Sequence, residues 1–157
     1  MKKEKDPLAH FLALSVELTG FERTDLLGTG MAETYYQTFT GTVSPAICEA
    51  LWATVAEITS RDSKDEEGLN AAVRREILAS PMFGPLAANI IQMWYLGSWI
   101  ELPQDWRRAY GTNPADTTHV ISAEAYKQSL IYNVMRAHPP GAKQPGYGSW
   151  SRSPEAE

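Results

Sequence analysis

Three histidines, one cysteine and a scatter of carboxylates are the groups in this chain that could hold a metal or move a proton. His10, His119 and His138 lie far apart, and none stands in the His-x-x-x-His or Glu-His spacing that sets two ligands on one helical face. Cys48 is the only cysteine, so adjacent ligands cannot assemble a structural zinc site and no internal disulfide can form. Its neighbours Ala46, Ile47, Ala50 and Leu51 put Cys48 on a helix packing face, where it reads as a buried, inert thiol. His10 reads as a helix-face residue rather than a ligand. The acidic group Asp62, Asp65, Glu66 and Glu67 lacks the alternating ligands and turn of a calcium loop. It fits the solvated start of a helix, where carboxylates meet the positive end of the dipole. Gly28-Thr29-Gly30 follows no strand and falls inside a helical pattern, so neither flavin nor nicotinamide binding is expected. No Gly-x-Ser-x-Gly elbow is present. The expectation is a chain with no catalytic, cofactor-binding or metal-binding residues of its own.

Aromatic placement is the unusual feature. Of five tryptophans, Trp94, Trp99, Trp106 and Trp150 all fall in the last two-fifths of the chain. Tyr95, Tyr110, Tyr126, Tyr132 and Tyr147 accompany them. Large aromatic rings with a polar handle serve two ends, closing a core or anchoring a partner. Trp94 sits in a helical stripe and reads as core. Trp99, Trp106, Tyr147 and Trp150 fall where periodicity is weak and are expected to be partner-binding anchors. A Gly/Pro tail has little regular structure with which to bury its own tryptophan.

The elements that must position these residues are helices. Asp6 caps a first helix with Pro7 at its first position, and Leu8, Phe11, Leu12, Ser15 and Leu18 form its inner face up to Gly20. A second helix is expected from Thr24 or Asp25 to about Thr40, carrying Leu27, Met31, Tyr35 and Phe39 despite Gly28 and Gly30. Ser44-Pro45 opens a third, with Ile47, Leu51, Val55 and Ile58 as its stripe. Residues 60–68 read as a surface turn before a fourth helix that faces Leu69, Val73, Ile77 and Leu78 inward. Ser80-Pro81 breaks that helix, and a fifth starts near Pro81 or Met82 and runs through Trp94 to Gly97. Residues 99–120 read as a long irregular loop, which in a compact domain suggests a binding role. Ser122 starts a last helix, with Ala125, Tyr126, Leu130 and Val134 along one side.

These patterns define an all-α, single irregular bundle of about six helices, with a helical core over about 6–136 and an extended Pro/Gly/aromatic tail wrapping over 137–157. The whole chain, 1–157, is one domain. At 157 residues roughly 68–70% of the unfolded surface can be buried on folding. Hydrophobic residues at 43% and charged residues at 21% suit a packed core. The net charge of −5 and the absence of a basic stripe argue against nucleic acid or an anionic membrane surface. No uninterrupted run of 18 apolar residues predicts membrane insertion, and no twin-arginine or Ala-x-Ala export signal is visible.

Phe11-Leu12-Ala13-Leu14-Ser15 followed by Leu18-Thr19-Gly20 resembles the opening F-L-x-L-S-x-x-L-T-G of a small-subunit family. That family is the small (gamma) subunit of membrane-associated, FAD-dependent sugar and alcohol dehydrogenases acting on sorbitol, glucose or fructose. Met93-Trp94-Tyr95-Leu96-Gly97 resembles its central W-Y-x-G segment, and Val120-Ile121 with Glu124-Ala125-Tyr126 resembles the stretch that follows. The tail, Pro139-Pro140-Gly141 with Pro145-Gly146-Tyr147-Gly148-Ser149-Trp150, is similar to the closing P-x-x-x-x-G-x-P-G-Y-W, with Gly148 and Ser149 inserted before the tryptophan.

The resemblance implies a non-catalytic helical subunit that binds a large FAD-containing flavoprotein, helps it mature, and works beside a multihaem cytochrome c subunit. FAD would reside in the partner and none in this chain. The family's small subunit usually carries a twin-arginine signal. Without one here, the expected location is periplasmic if a signal was removed and cytoplasmic if the chain is complete. Two other expectations stand beside this one. The chain could lend residues, His138 and Arg136 foremost, to a shared active-site rim, or it could be a free-standing helical adaptor.

Overall fold

The computed structural model describes residues 6–136, and Tyr147, Trp150 and His138 lie outside the described residues. The described part is mostly helical. Helix α1 spans Pro7–Thr19 and is bounded as its sequence dictates. The Asp6 carboxylate accepts the Leu8 N–H at 3.1 Å, and Gly20 ends the helix in the left-handed conformation at φ 75°. Its inner face holds Phe11, Leu12 and Leu14 with two buried hydroxyls. Ser15 and Thr19 donate to the carbonyls of Phe11 and Ser15, each at 2.7 Å, so neither hydroxyl is buried unpaired.

The expected second helix is two. Helix α2, Arg23–Gly28, and helix α3, Ala32–Thr42, are separated by a turn in which Gly30 takes φ 72°. The Thr29 hydroxyl donates to the Leu26 carbonyl at 2.7 Å and accepts the Met31 N–H at 3.1 Å, which closes one helix and launches the other. The break turns Leu27 to solvent while Met31, Tyr35 and Phe39 stay buried. Helix α4, Pro45–Asp62, follows Ser44-Pro45 and buries Ile47, Leu51, Val55 and Ile58. It continues three residues into the expected turn, so that only a short link precedes α5, Glu66–Val73.

Helix α5 runs into a π-helical turn, Arg74–Leu78, marked by the Ala79 N–H donating to the Arg74 carbonyl at 2.9 Å. This widened turn keeps Ile77 buried but leaves Leu78 exposed, contrary to the inward face expected for both. Helix α6, Gly84–Leu96, begins later than Pro81, because residues 80–83 form a turn held by the Phe83 N–H on the Ser80 hydroxyl.

Helices α1, α3, α4 and α6 enclose the core. Phe11 lies at its aromatic centre, with ring centroids 5.8 to 6.3 Å from Tyr36, Phe39, Trp52 and Trp94. Trp94 meets Tyr35 edge to face at 4.8 Å and 89°, the arrangement favoured by ring quadrupoles. Trp94 is therefore core, as its position in the helical stripe implies.

Candidate partner interface

The segment after Trp94 is built, not loose. Strand β1, Ser98–Trp99, pairs antiparallel with β2, His119–Val120, Ser98 opposite Val120 and Trp99 opposite His119. Helix α7, Gln104–Tyr110, sits between them. The long irregular loop expected over 99–120 is thus a helix flanked by a two-stranded ribbon.

Two buried polar residues hold this unit to the core. Asn89 on α6 clasps one backbone position, its amide donating to the Ile100 carbonyl and its carbonyl accepting the Ile100 N–H, both at 2.9 Å. Asp116 is 3% exposed and accepts the Trp99 indole N–H at 2.8 Å and the Leu102 N–H at 3.0 Å through one oxygen. Its other oxygen lies 3.6 Å from Arg107 Nε, and Arg107 also reaches Glu101 at 2.6 Å. Two N–H donors on one oxygen and the guanidinium beside the other offset the cost of burying this charge, although Oδ2 itself accepts no hydrogen bond among the described residues.

Two of the expected anchors are buried in this fold. Trp99 is fully buried, packed near Phe39 with its N–H consumed by Asp116. Trp106 is nearly so, tilted at 49° against Tyr110 with ring centroids 5.3 Å apart and its N–H donated to the Met82 carbonyl at 2.8 Å. Each ring packs into the core with its polar atom paired inside the fold. Tyr147 and Trp150, the other two anchors, fall outside the described residues.

The exposed apolar residues lie on other elements. Helix α6 ends at Leu96, and Gly97 at φ 64° lets the chain turn against the carbonyl of Ala125 in α8, Ala123–Lys127. The Ile121 N–H bonds the Gly97 carbonyl at 3.0 Å, and the Leu130 N–H bonds the Trp94 carbonyl at 3.1 Å. Those bonds gather the end of α6, β2, α8 and α9, Ile131–Val134, in one region. Leu96, Val120, Tyr126, Val134 and Met135 on these elements are 45% to 67% exposed. Tyr126 and Val134 were expected on the inner side of one last helix. That helix is two short ones, broken around Gln128, and only Ala125 and Leu130 of the expected side are buried.

The remaining chemistry-bearing residues are dispersed. Cys48 is buried, its Sγ 3.7 Å from the Val43 carbonyl, and desolvation pushes the thiol up to about 11. Burial of this kind disfavours the thiolate. His119 is exposed on β2, with Nδ1 2.6 Å from the Thr117 carbonyl. Arg136 is exposed at the end of the described chain. Among the described residues no three His, Cys, Asp or Glu side chains gather as a metal site, and no helix is long and apolar enough to cross a membrane. Comparisons with protein-family models, with curated proteins and with solved structures find no match to this chain.

Proposed function

We propose that this chain is a non-catalytic small subunit that binds and stabilises the large flavoprotein of an FAD-dependent sugar or alcohol dehydrogenase, assisting its maturation. The observation that carries the binding role is that Leu96, Val120, Tyr126, Val134 and Met135, on elements joined by backbone hydrogen bonds, are each 45% to 67% exposed. Clustered apolar side chains on a well-packed small protein mark a surface that is covered in use. The identity of the partner rests on the four motifs that resemble the small-subunit family, two of which border this surface: Trp94-Tyr95-Leu96-Gly97 and Val120 to Tyr126. Tyr147 and Trp150, in residues 137–157, remain the other proposed anchors for the partner. FAD belongs to the partner in this reading, and a multihaem cytochrome c subunit would complete the complex.

Co-expression with the large flavoprotein subunit from the same source tests the proposal, with affinity capture through this chain and a flavin absorbance spectrum. The expected result is a stoichiometric yellow complex, together with a large subunit that is insoluble or flavin-free when made alone. Capture of this chain by itself, beside a flavoprotein fully active without it, would overturn the reading in favour of a free-standing adaptor.

A further inference from the structure

A cavity of about 270 Å³ opens between α1, α4 and α5, on elements separate from the partner surface. Its walls are mainly apolar, with Leu14 from α1, Val55 and Ile58 from α4, Leu69 and Val73 from α5, and Ile77 from the π-helical turn. The polar Glu17, Arg23 and Thr59 join them. An apolar cavity of about 150 Å³ already holds benzene, and small-molecule pockets begin at roughly 300 Å³. The space therefore fits a six-carbon chain or a single ring, not a cofactor.

Three features set the chemistry of its occupant. Glu17 lines both this cavity and an adjoining polar groove of about 390 Å³, which is edged by Glu66, Glu67, Asn70 and Arg74. Glu17 makes no ion pair and no side-chain hydrogen bond among the described residues, so its carboxylate stands at the junction without a partner. Partial burial, and then the neighbouring Glu66, raise its carboxyl from its ordinary value. The groups facing this junction are Glu17, Glu66 and Glu67 against Arg23 and Arg74. Both arginines are exposed, leaving the half-buried carboxylate as the group whose desolvation a ligand would relieve. The π-helical turn adds an independent sign, since such widened turns recur at functional sites and this one contributes Ile77 to the wall.

We infer that this cavity binds a small amphipathic amine, the apolar body between α1, α4 and α5 and the ammonium on Glu17. Three six-carbon probes distinguish this from adventitious filling: hexylammonium, hexanol and hexanoate, titrated into the isotope-labelled full chain while backbone amide shifts are followed by NMR. Saturable shifts in α1, α4 and α5 are expected, with hexylammonium binding about tenfold more tightly than hexanoate. Glu17→Gln should bring hexylammonium to the affinity of hexanol and leave hexanol unchanged. Leu69→Trp, which fills the partly exposed side of the cavity, should abolish binding of all three. Shifts spread over the whole surface, equal affinity for hexanoate, or a Glu17→Gln variant that keeps its preference for the amine would each overturn the inference.

Discussion

Asp116 is the residue on which the segment after Trp94 depends. It accepts two N–H groups and faces Arg107 while 3% exposed, so removing its carboxylate strands two buried donors and leaves a partly buried guanidinium with less counter-charge. Asp116→Ala is therefore expected to cost about 3 kcal/mol, read as a lower urea midpoint at unchanged slope. A loss under about 0.5 kcal/mol, the size of an ordinary surface change, would mean that Trp99 and Leu102 find other acceptors. Nothing in the sequence singles out Asp116, which stands in a polar stretch beside Asn113-Pro114 and has no periodicity to mark it as buried. Asn89 was equally hidden, one polar residue in the apolar run of α6. Because Asp116 and the Met82 carbonyl were not marked as acceptors by any pattern, Trp99 and Trp106 looked like rings without internal partners. Side chains whose pairing is local were legible: the Asp6 cap, the Gly20 stop and the buried Cys48 all follow from residues within a turn or two.

At the scale of elements, periodicity located every long helix, and single glycines and prolines decided the boundaries. The stripe Leu27, Met31, Tyr35, Phe39 has the spacing of one helix, yet Gly30 at φ 72° divides it. The residual backbone preference of one glycine outweighed the pattern, since the divided arrangement lets Leu26 rather than Leu27 reach the core. The ribbon of β1 and β2 was beyond reach for a different reason. Two-residue strands carry no alternation, and their pairing spans the whole of α7. Gly30 and Gly97 separate two costs at these joints. Both have positive φ, but a Cβ on Gly30 meets open space, whereas one on Gly97 would strike the Ala125 carbonyl. Gly30→Ala is expected to cost about 1 kcal/mol, the left-handed backbone penalty alone. Gly97→Ala should cost about 3 kcal/mol, because steric displacement of α8 adds to it. Thermal denaturation of the two variants gives the comparison, and equal losses would show that α8 yields without cost.

At the scale of the molecule, the aromatic rings of the middle segment are turned inward, while apolar residues at the end of α6 and on β2, α8 and α9 are turned outward. An exposed valine or tyrosine contributes little to folding, so its replacement separates binding from stability. Val120→Ser with Tyr126→Ser should leave folding stability within about 0.5 kcal/mol of the parent. Under the proposed function, the same pair should weaken capture of the proposed flavoprotein partner by at least about fivefold, as loss of interface anchors worth about 1 kcal/mol does. Leu27, equally exposed but on α2 and outside this set, provides the control. Leu27→Ser should change neither quantity. Unaltered capture by the double variant would move the interface to another face, and equal weakening by Leu27→Ser would mean that the chain associates through general stickiness. Selective loss in the double variant would show that the surface left uncovered by this packing is the one a partner covers.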